Sequence, residues 1–258
     1  MTYLTSFCSE LLKLSKVTIF YPLVLAAFCI PFITVYDYSS PKEKINFNGW
    51  DNFYIEGFRV FIFLLLPLFI ILINALLMQI EYRNNTWKQV LSSPQSHLQI
   101  LLAKFLVLQL LVVVFIVLFN IFMAIGCVIV NKFMDNGLSI YWMNGKRLLI
   151  LNLMAYISTL GISSLCFWLS LRFQNFITPI ALGLLLWLIG PIAALELNIP
   201  YFDKYPFVLP FTILVEKYEG VRMMYQYISI AYCILLFLCA YTEFYLRTMK
   251  MGSFWNKK

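Results

Sequence analysis

Between two long stretches without a charged side chain lies a short polar segment, Glu81-Tyr-Arg-Asn-Asn-Thr-Trp-Lys-Gln-Val-Leu-Ser-Ser-Pro94, which continues to Lys104. Trp87, Val90 and Leu91 stand at i, i+3 and i+4, giving a short helix a small apolar face with an aromatic anchor. Arg83, Lys88 and Gln89 flank that face. Ser93-Pro94 reads as an N-cap followed by proline at the first position of the next helix. The chemistry this pattern offers is docking and transmission of force, because a stiff helix between two longer ones passes rigid-body motion from a bound partner into them. The alternative is an inert loop on the headgroups, with Trp87 as a lipid anchor.

Catalytic patterns are missing. His97 is the single histidine and stands beside Pro94 and Ser96 at a helix start. Gly161-Ile-Ser-Ser does not complete a nucleophile elbow, and Asn144-Gly145-Lys146-Arg147 lacks the upstream glycine and the hydroxyl of a phosphate-binding loop. Cys8, Cys29, Cys127, Cys166, Cys233 and Cys239 form no C-x-x-C pair and read as small apolar side chains, with no disulfide framework. The expectation is a chain that is not an enzyme and binds no metal or cofactor itself.

The elements that position the polar segment are apolar helices. The sequence is 62% hydrophobic and 12% charged over 258 residues, with mean hydropathy +0.84, outside the range of soluble domains. Charge-free runs occupy 17–36, 60–80, 105–131, 148–171, 173–195 and 223–242. At about 1.5 Å of rise per residue, each can cross a hydrocarbon core of roughly 30 Å. The expected fold is all-α and integral to the membrane: six transmembrane helices at 17–36, 58–80, 98–131, 148–171, 173–195 and 223–245 in a single domain over 1–258. Residues 81–97 form the polar connection between helices two and three.

Residues 3–16 put Leu4, Phe7, Leu11 and Leu14 near a 3-4 spacing, with Glu10, Lys13 and Lys16 between them, which predicts an amphipathic helix lying in the headgroup region. The run after it is too long for a signal-peptide core and lacks an A-x-A site, so it reads as an uncleaved first span. The loop 37–57 carries Trp50, Phe53 and Tyr54 as interfacial anchors. Arg172, within Leu171-Arg-Phe-Gln-Asn175, marks a tight hairpin. Segment 196–222, with Pro200, Pro206 and Pro210, is too broken to span; it either dips into one leaflet or caps the helices.

With the amino terminus inside, ten of nineteen basic residues face the cytoplasm, a near balance, while nine of the twelve acids lie outside and the inside loops are the shorter ones. Both termini are expected in the cytoplasm. The net charge of +7 fits anionic headgroups, and nucleic acid is not an expected partner. Lys104 is placed to snorkel to the interface, and Glu243 stands four residues before Arg247, an attractive i,i+4 pair. No chain of ionisable groups crosses the core, which disfavours proton- or sodium-driven transport.

The pattern Glu81-x-Arg83-Asn-Asn85-Thr86-Trp87-Lys88-x-x-Leu91-x-x-Pro94, continuing through Ile100-Leu-Leu-Ala-Lys104, resembles the signature after the second span of type-2 ABC exporter permeases, in the branch associated with lantibiotic and bacitracin-type peptide immunity. Phe7-x-x-Glu10-Leu11-x-Lys13-Leu14 is similar to that family's amphipathic lead-in. The resemblance implies a permease half that docks a separate ATP-binding cassette ATPase, on which ATP and Mg are bound. Arg83, Asn85, Thr86, Trp87, Lys88 and Leu91 would contact that subunit, while Glu81, Pro94 and Lys104 would set the helix ends. It further implies a second permease half (another copy or a sister chain), a bacterial inner or plasma membrane, and an amphipathic or hydrophobic substrate such as an antimicrobial peptide. A non-transporting membrane scaffold for assembly or signalling is the competing reading.

Overall fold

In hydrocarbon a backbone must satisfy its own hydrogen bonds, so long apolar runs can only become helices or closed barrels. The structure, a computed structural model, describes residues 3–15, 20–39, 49–83, 95–134, 145–197 and 199–255, and among these there is no strand. The α-helices are α1 (Tyr3–Ser15), α2 (Phe20–Ser39), α3 (Gly49–Val60), α4 (Leu66–Arg83), α5 (His97–Met134), α6 (Gly145–Arg172), α7 (Ile177–Pro191) and α8 (Arg222–Trp255). Single π-helical turns, Phe61–Leu65 and Ile192–Glu196, join α3 to α4 and extend α7. Five of the resulting rods are long and apolar enough to cross a membrane: Asn52–Arg83, His97–Lys132, Gly145–Arg172, Ile177–Ala194 and Tyr218–Thr248. The apolar part of α2, Leu23–Asp37, is shorter than these.

Several boundaries differ from the sequence expectation. The second long helix starts at Gly49 rather than 58, and α8 runs on to Trp255 rather than stopping at 245. A charged residue ends an apolar run, but the i→i−4 ladder continues through it. Phe53 and Tyr54 are fully buried core residues instead of interfacial anchors, because they share the inward face of α3 with Phe58. The hairpin at Arg172 is present, with four residues between α6 and α7.

Pro67 explains the π turn. It has no N–H to offer the Phe63 carbonyl one turn back, and its ring crowds that carbonyl. The helix widens at 61–65, and the Trp187 indole N–H from α7 donates to the Phe63 oxygen at 3.1 Å. Below and above this point the rings of Tyr54, Phe58, Phe61, Phe119, Phe115 and Phe69 form a continuous stack joining α3 and α4 to α5, with centroids as close as 3.9 Å for Phe61–Phe119 and 4.0 Å for Phe69–Phe115. A closed triangle ends the stack. The Tyr54 hydroxyl donates to Asn120 Oδ1 (2.8 Å), Asn120 Nδ2 to Asn152 Oδ1 (2.9 Å), and Asn152 Nδ2 to the Tyr54 oxygen (3.2 Å).

The α6–α8 pair makes close contact where small residues meet. The Gly161 N–H donates to Ser229 Oγ (3.1 Å), whose hydroxyl donates to the carbonyls of Ile157 and Ser158 (2.8 and 3.0 Å). A Cβ at Gly161 would stand 3.3 Å from Tyr232 Cβ. The segment 199–221 is built of short 3₁₀ turns and folds back on the helices: Phe207 to Ile213 are buried, the Tyr205 ring fills the space beside Gly190, and Phe211 packs on Phe63 at 4.5 Å.

Asn152→Leu removes one corner of the triangle and leaves the other two short of a partner. The expected loss is about 1 kcal/mol, seen as a lower melting temperature of the detergent-solubilised protein; a melting temperature equal to wild type would show that the triangle contributes nothing.

Candidate functional site

Glu81 lies in the last turn of α4, and Lys104 two turns into α5, so both flank the 84–94 segment. Each is nearly inaccessible, with side chains 1% and 4% exposed. A lone carboxylate or ammonium in such a place would be very costly, and it persists only when paired. Lys104 Nζ donates to Glu81 Oε1 at 2.8 Å and to Glu10 Oε2 at 2.7 Å. Lys13 Nζ closes the ring, donating to Glu10 Oε1 at 2.6 Å and Glu81 Oε1 at 2.8 Å. Each ammonium touches both carboxylates, and the four formal charges cancel.

The ring joins three helices. α1 supplies Glu10 and Lys13, α4 supplies Glu81, and α5 supplies Lys104. Leu77, Ile80 and Val107 wall the ring, a low-dielectric setting in which each contact is stronger than in water. Burial by itself would lower the Lys13 pKa; hydrogen bonds and charge from Glu10 and Glu81 outweigh it and raise the pKa above the usual lysine value. The contribution of Lys13 to stability is therefore complete at neutral pH and is lost only as pH rises through that raised value.

The expectation that Lys104 snorkels to the interface is corrected. Its ammonium turns inward, because two carboxylates stand within hydrogen-bond reach. On α1 the expected apolar residues Phe7 and Leu11 pack against the core, but Glu10, expected on the polar side, is turned to the bundle with only 13% of its side chain exposed, while Leu12 is 67% exposed. Its partners on α4 and α5 decide which face is buried.

The start of α5 also differs from expectation. Its cap is Ser96 rather than Ser93. Ser96 Oγ accepts from the Gln99 N–H (3.2 Å) and Gln99 Oε1 accepts from the Ser96 N–H (3.1 Å), a reciprocal capping box. His97 follows directly, its ring 6.0 Å from those of Phe244 and Tyr245 on α8. Arg83 is the exposed last residue of α4 and takes no part in the ring. Asn85, Thr86, Trp87, Lys88, Leu91 and Pro94 lie outside the described residues.

Glu10 and Lys13 are the members of the ring that sequence reasoning missed. A usable signal was present: Lys104 sits inside an apolar helix and needs an opposite charge, and the lead-in helix carries both signs at i,i+3. Among the described residues no three His, Cys, Asp or Glu side chains gather as a metal-binding group, and all six cysteines are free thiols. What the arrangement can do is mechanical. It binds the two helices that frame residues 84–94 to each other and to α1.

Removing one charge should cost more than removing a balanced pair. Lys104→Met leaves two buried carboxylates sharing Lys13, an expected loss of about 3–5 kcal/mol. In the Glu81→Gln/Lys104→Met double variant the losses are expected to be strongly sub-additive, read from thermal melts of the purified chain. Simple additivity would show that the two groups do not act as a unit.

No curated protein and no solved structure is significantly similar to the chain. A family model described as ABC-2 family transporter protein matches residues 7–190. The matched stretch opens within α1 and ends within α7, so it contains all four members of the charge ring and both helices that flank residues 84–94. The chain belongs to the ABC-2 family of transporter proteins, as a multi-pass membrane component of an ABC transporter that works with an ATP-binding cassette ATPase.

Proposed function

We propose that this chain is the permease half of an ATP-driven exporter in a bacterial inner or plasma membrane. It crosses six times, with α2 as the first span, α1 at the cytoplasmic interface and both termini in the cytoplasm. Residues 81–97 are its coupling element. Arg83, Asn85, Thr86, Trp87, Lys88 and Leu91 contact the ATPase, which binds ATP and Mg and performs the hydrolysis. A second permease half, identical or sister, completes the pathway.

The observation that carries this reading is the buried ring of Glu10, Lys13, Glu81 and Lys104. Ion pairs held away from water are directional and hard to break one at a time. A displacement imposed on residues 84–94 therefore moves α4, α5 and α1 together, instead of being absorbed where the segment meets its helices. The core of α3, α4 and α5 is a stack of aromatic rings, and the polar groups among the spans are mainly amides and hydroxyls. An apolar interior of that kind offers a bare ion little to bind; an amphipathic or hydrophobic molecule, and an antimicrobial peptide exported for self-protection in particular, is the substrate we favour.

Two variants test the reading. Trp87→Ala is expected to insert normally but to lose most of the ATPase subunit in a detergent pull-down; normal association and normal transport would overturn the docking role. Glu81→Ala is expected to hydrolyse ATP without moving a fluorescent cationic amphipathic peptide in proteoliposomes. Transport at the wild-type rate would remove Glu81 from the coupling path, and a wild-type complex that hydrolyses ATP but moves no cargo would favour a scaffold.

A further inference from the structure

Glu81 and Tyr82 are consecutive on the last turn of α4, roughly 100° apart around its axis, and they reach different neighbours. Glu81 enters the charge ring with α1 and α5. The Tyr82 hydroxyl instead donates to the Leu171 carbonyl at 2.8 Å, in the last turn of α6. That oxygen is one of the four that a helix end leaves without an intrahelical donor.

The same helix end is held from α8. Arg247 NH1 donates to the Arg172 carbonyl at 2.9 Å and lies 3.5 Å from the Leu171 carbonyl, a cation placed at the negative end of the α6 dipole. Its other amino group pairs with Glu243 Oε1 at 2.5 Å, the i,i+4 pair expected from sequence. Glu243 Oε2 accepts from the Trp168 indole on α6 at 2.7 Å. Arg172 lies over the Trp168 ring at 5.6 Å and 3.9 Å from Glu243. Together with the Gly161–Ser229 contact farther along, α6 and α8 are cross-linked at two levels, and Tyr82 hydrogen-bonds α4 into the lower one.

We infer that the last turn of α4 is a two-way junction: Glu81 hands its displacement to α1 and α5, and Tyr82 hands it to α6 and α8. Tyr82 is a positioning residue in this scheme. The inference rests on residues 84–94 docking the ATPase. Aromatic contacts also link α5 to α8, through His97 with Phe244 and Tyr245, and Phe105 with Phe237. Ring contacts of that kind tolerate sliding, whereas the short Tyr82–Leu171 bond fixes a direction. Tyr82→Phe deletes one oxygen and leaves the α6–α8 links in place, so it separates transmission from folding.

Native thiols supply the reporters, since Cys8 on α1 and Cys239 on α8 are both exposed. In the permease–ATPase complex, with every other cysteine replaced by alanine, a nitroxide is attached at Cys8 or at Cys239. Spectra are compared between the nucleotide-free state and Mg-ATP with vanadate. Both labels should respond in the otherwise native chain. With Tyr82→Phe the Cys8 response should persist, while the Cys239 response falls about five-fold, the effect of one net hydrogen bond. Glu81→Gln should show the reverse pattern. If Tyr82→Phe does not assemble, Tyr82→Met gives the same reading. A Cys239 response that survives, or loss of both responses in an intact complex, overturns the junction alone. Absence of any response without the Tyr82 change overturns the docking reading and the junction with it.

Discussion

A charge buried away from water needs an opposite charge within hydrogen-bond reach, and that requirement governs how this chain assembles at its Glu81 end. Two ammonium groups and two carboxylates meet there, each bonded to both of the opposite sign. Removing any one leaves a net charge in a pocket walled by Leu77, Ile80 and Val107. The arrangement is therefore close to all-or-none, and α1 is held on α4 and α5 by a stronger demand than amphipathic packing alone would make.

Neutral polar groups obey the same rule with smaller penalties. Pro67 frees a backbone carbonyl, and a Trp187 indole takes it up. Asn120, Asn152 and Tyr54 close a triangle in which each group serves another. Ser229 bridges the α6 backbone where Gly161 admits it. These contacts join different helix pairs at different depths, so the bundle is pinned at a few polar points while apolar and aromatic surface fills the intervals.

That division bears on how a membrane component that works with an ATP-binding cassette ATPase is moved. Residues 84–94 connect directly to α4, and the two last-turn side chains of α4 lead to two separate networks, one charged and one built on helix-end carbonyls. Helix-end carbonyls make good receivers of motion because they lack internal partners and accept an outside donor without breaking the ladder.

Much of this was legible in the residues. Uninterrupted apolar runs dictate helices because lipid offers the backbone no other partner. The hairpin at Arg172 and the Glu243–Arg247 pair are local and follow from spacing. The Ser96-x-x-Gln99 box was equally local, though Ser93-Pro94 made a competing start signal. Tertiary structure alone decided the partners of Glu81 and Lys104. Lys104 and Glu10 are 94 positions apart, and Lys13 and Glu81 are 68 apart. Nothing in helical periodicity says which apolar faces adjoin, since many faces are interchangeable in hydrophobicity. The charge ring exists because packing brought three particular helix ends together, and pairing then selected the buried face of α1.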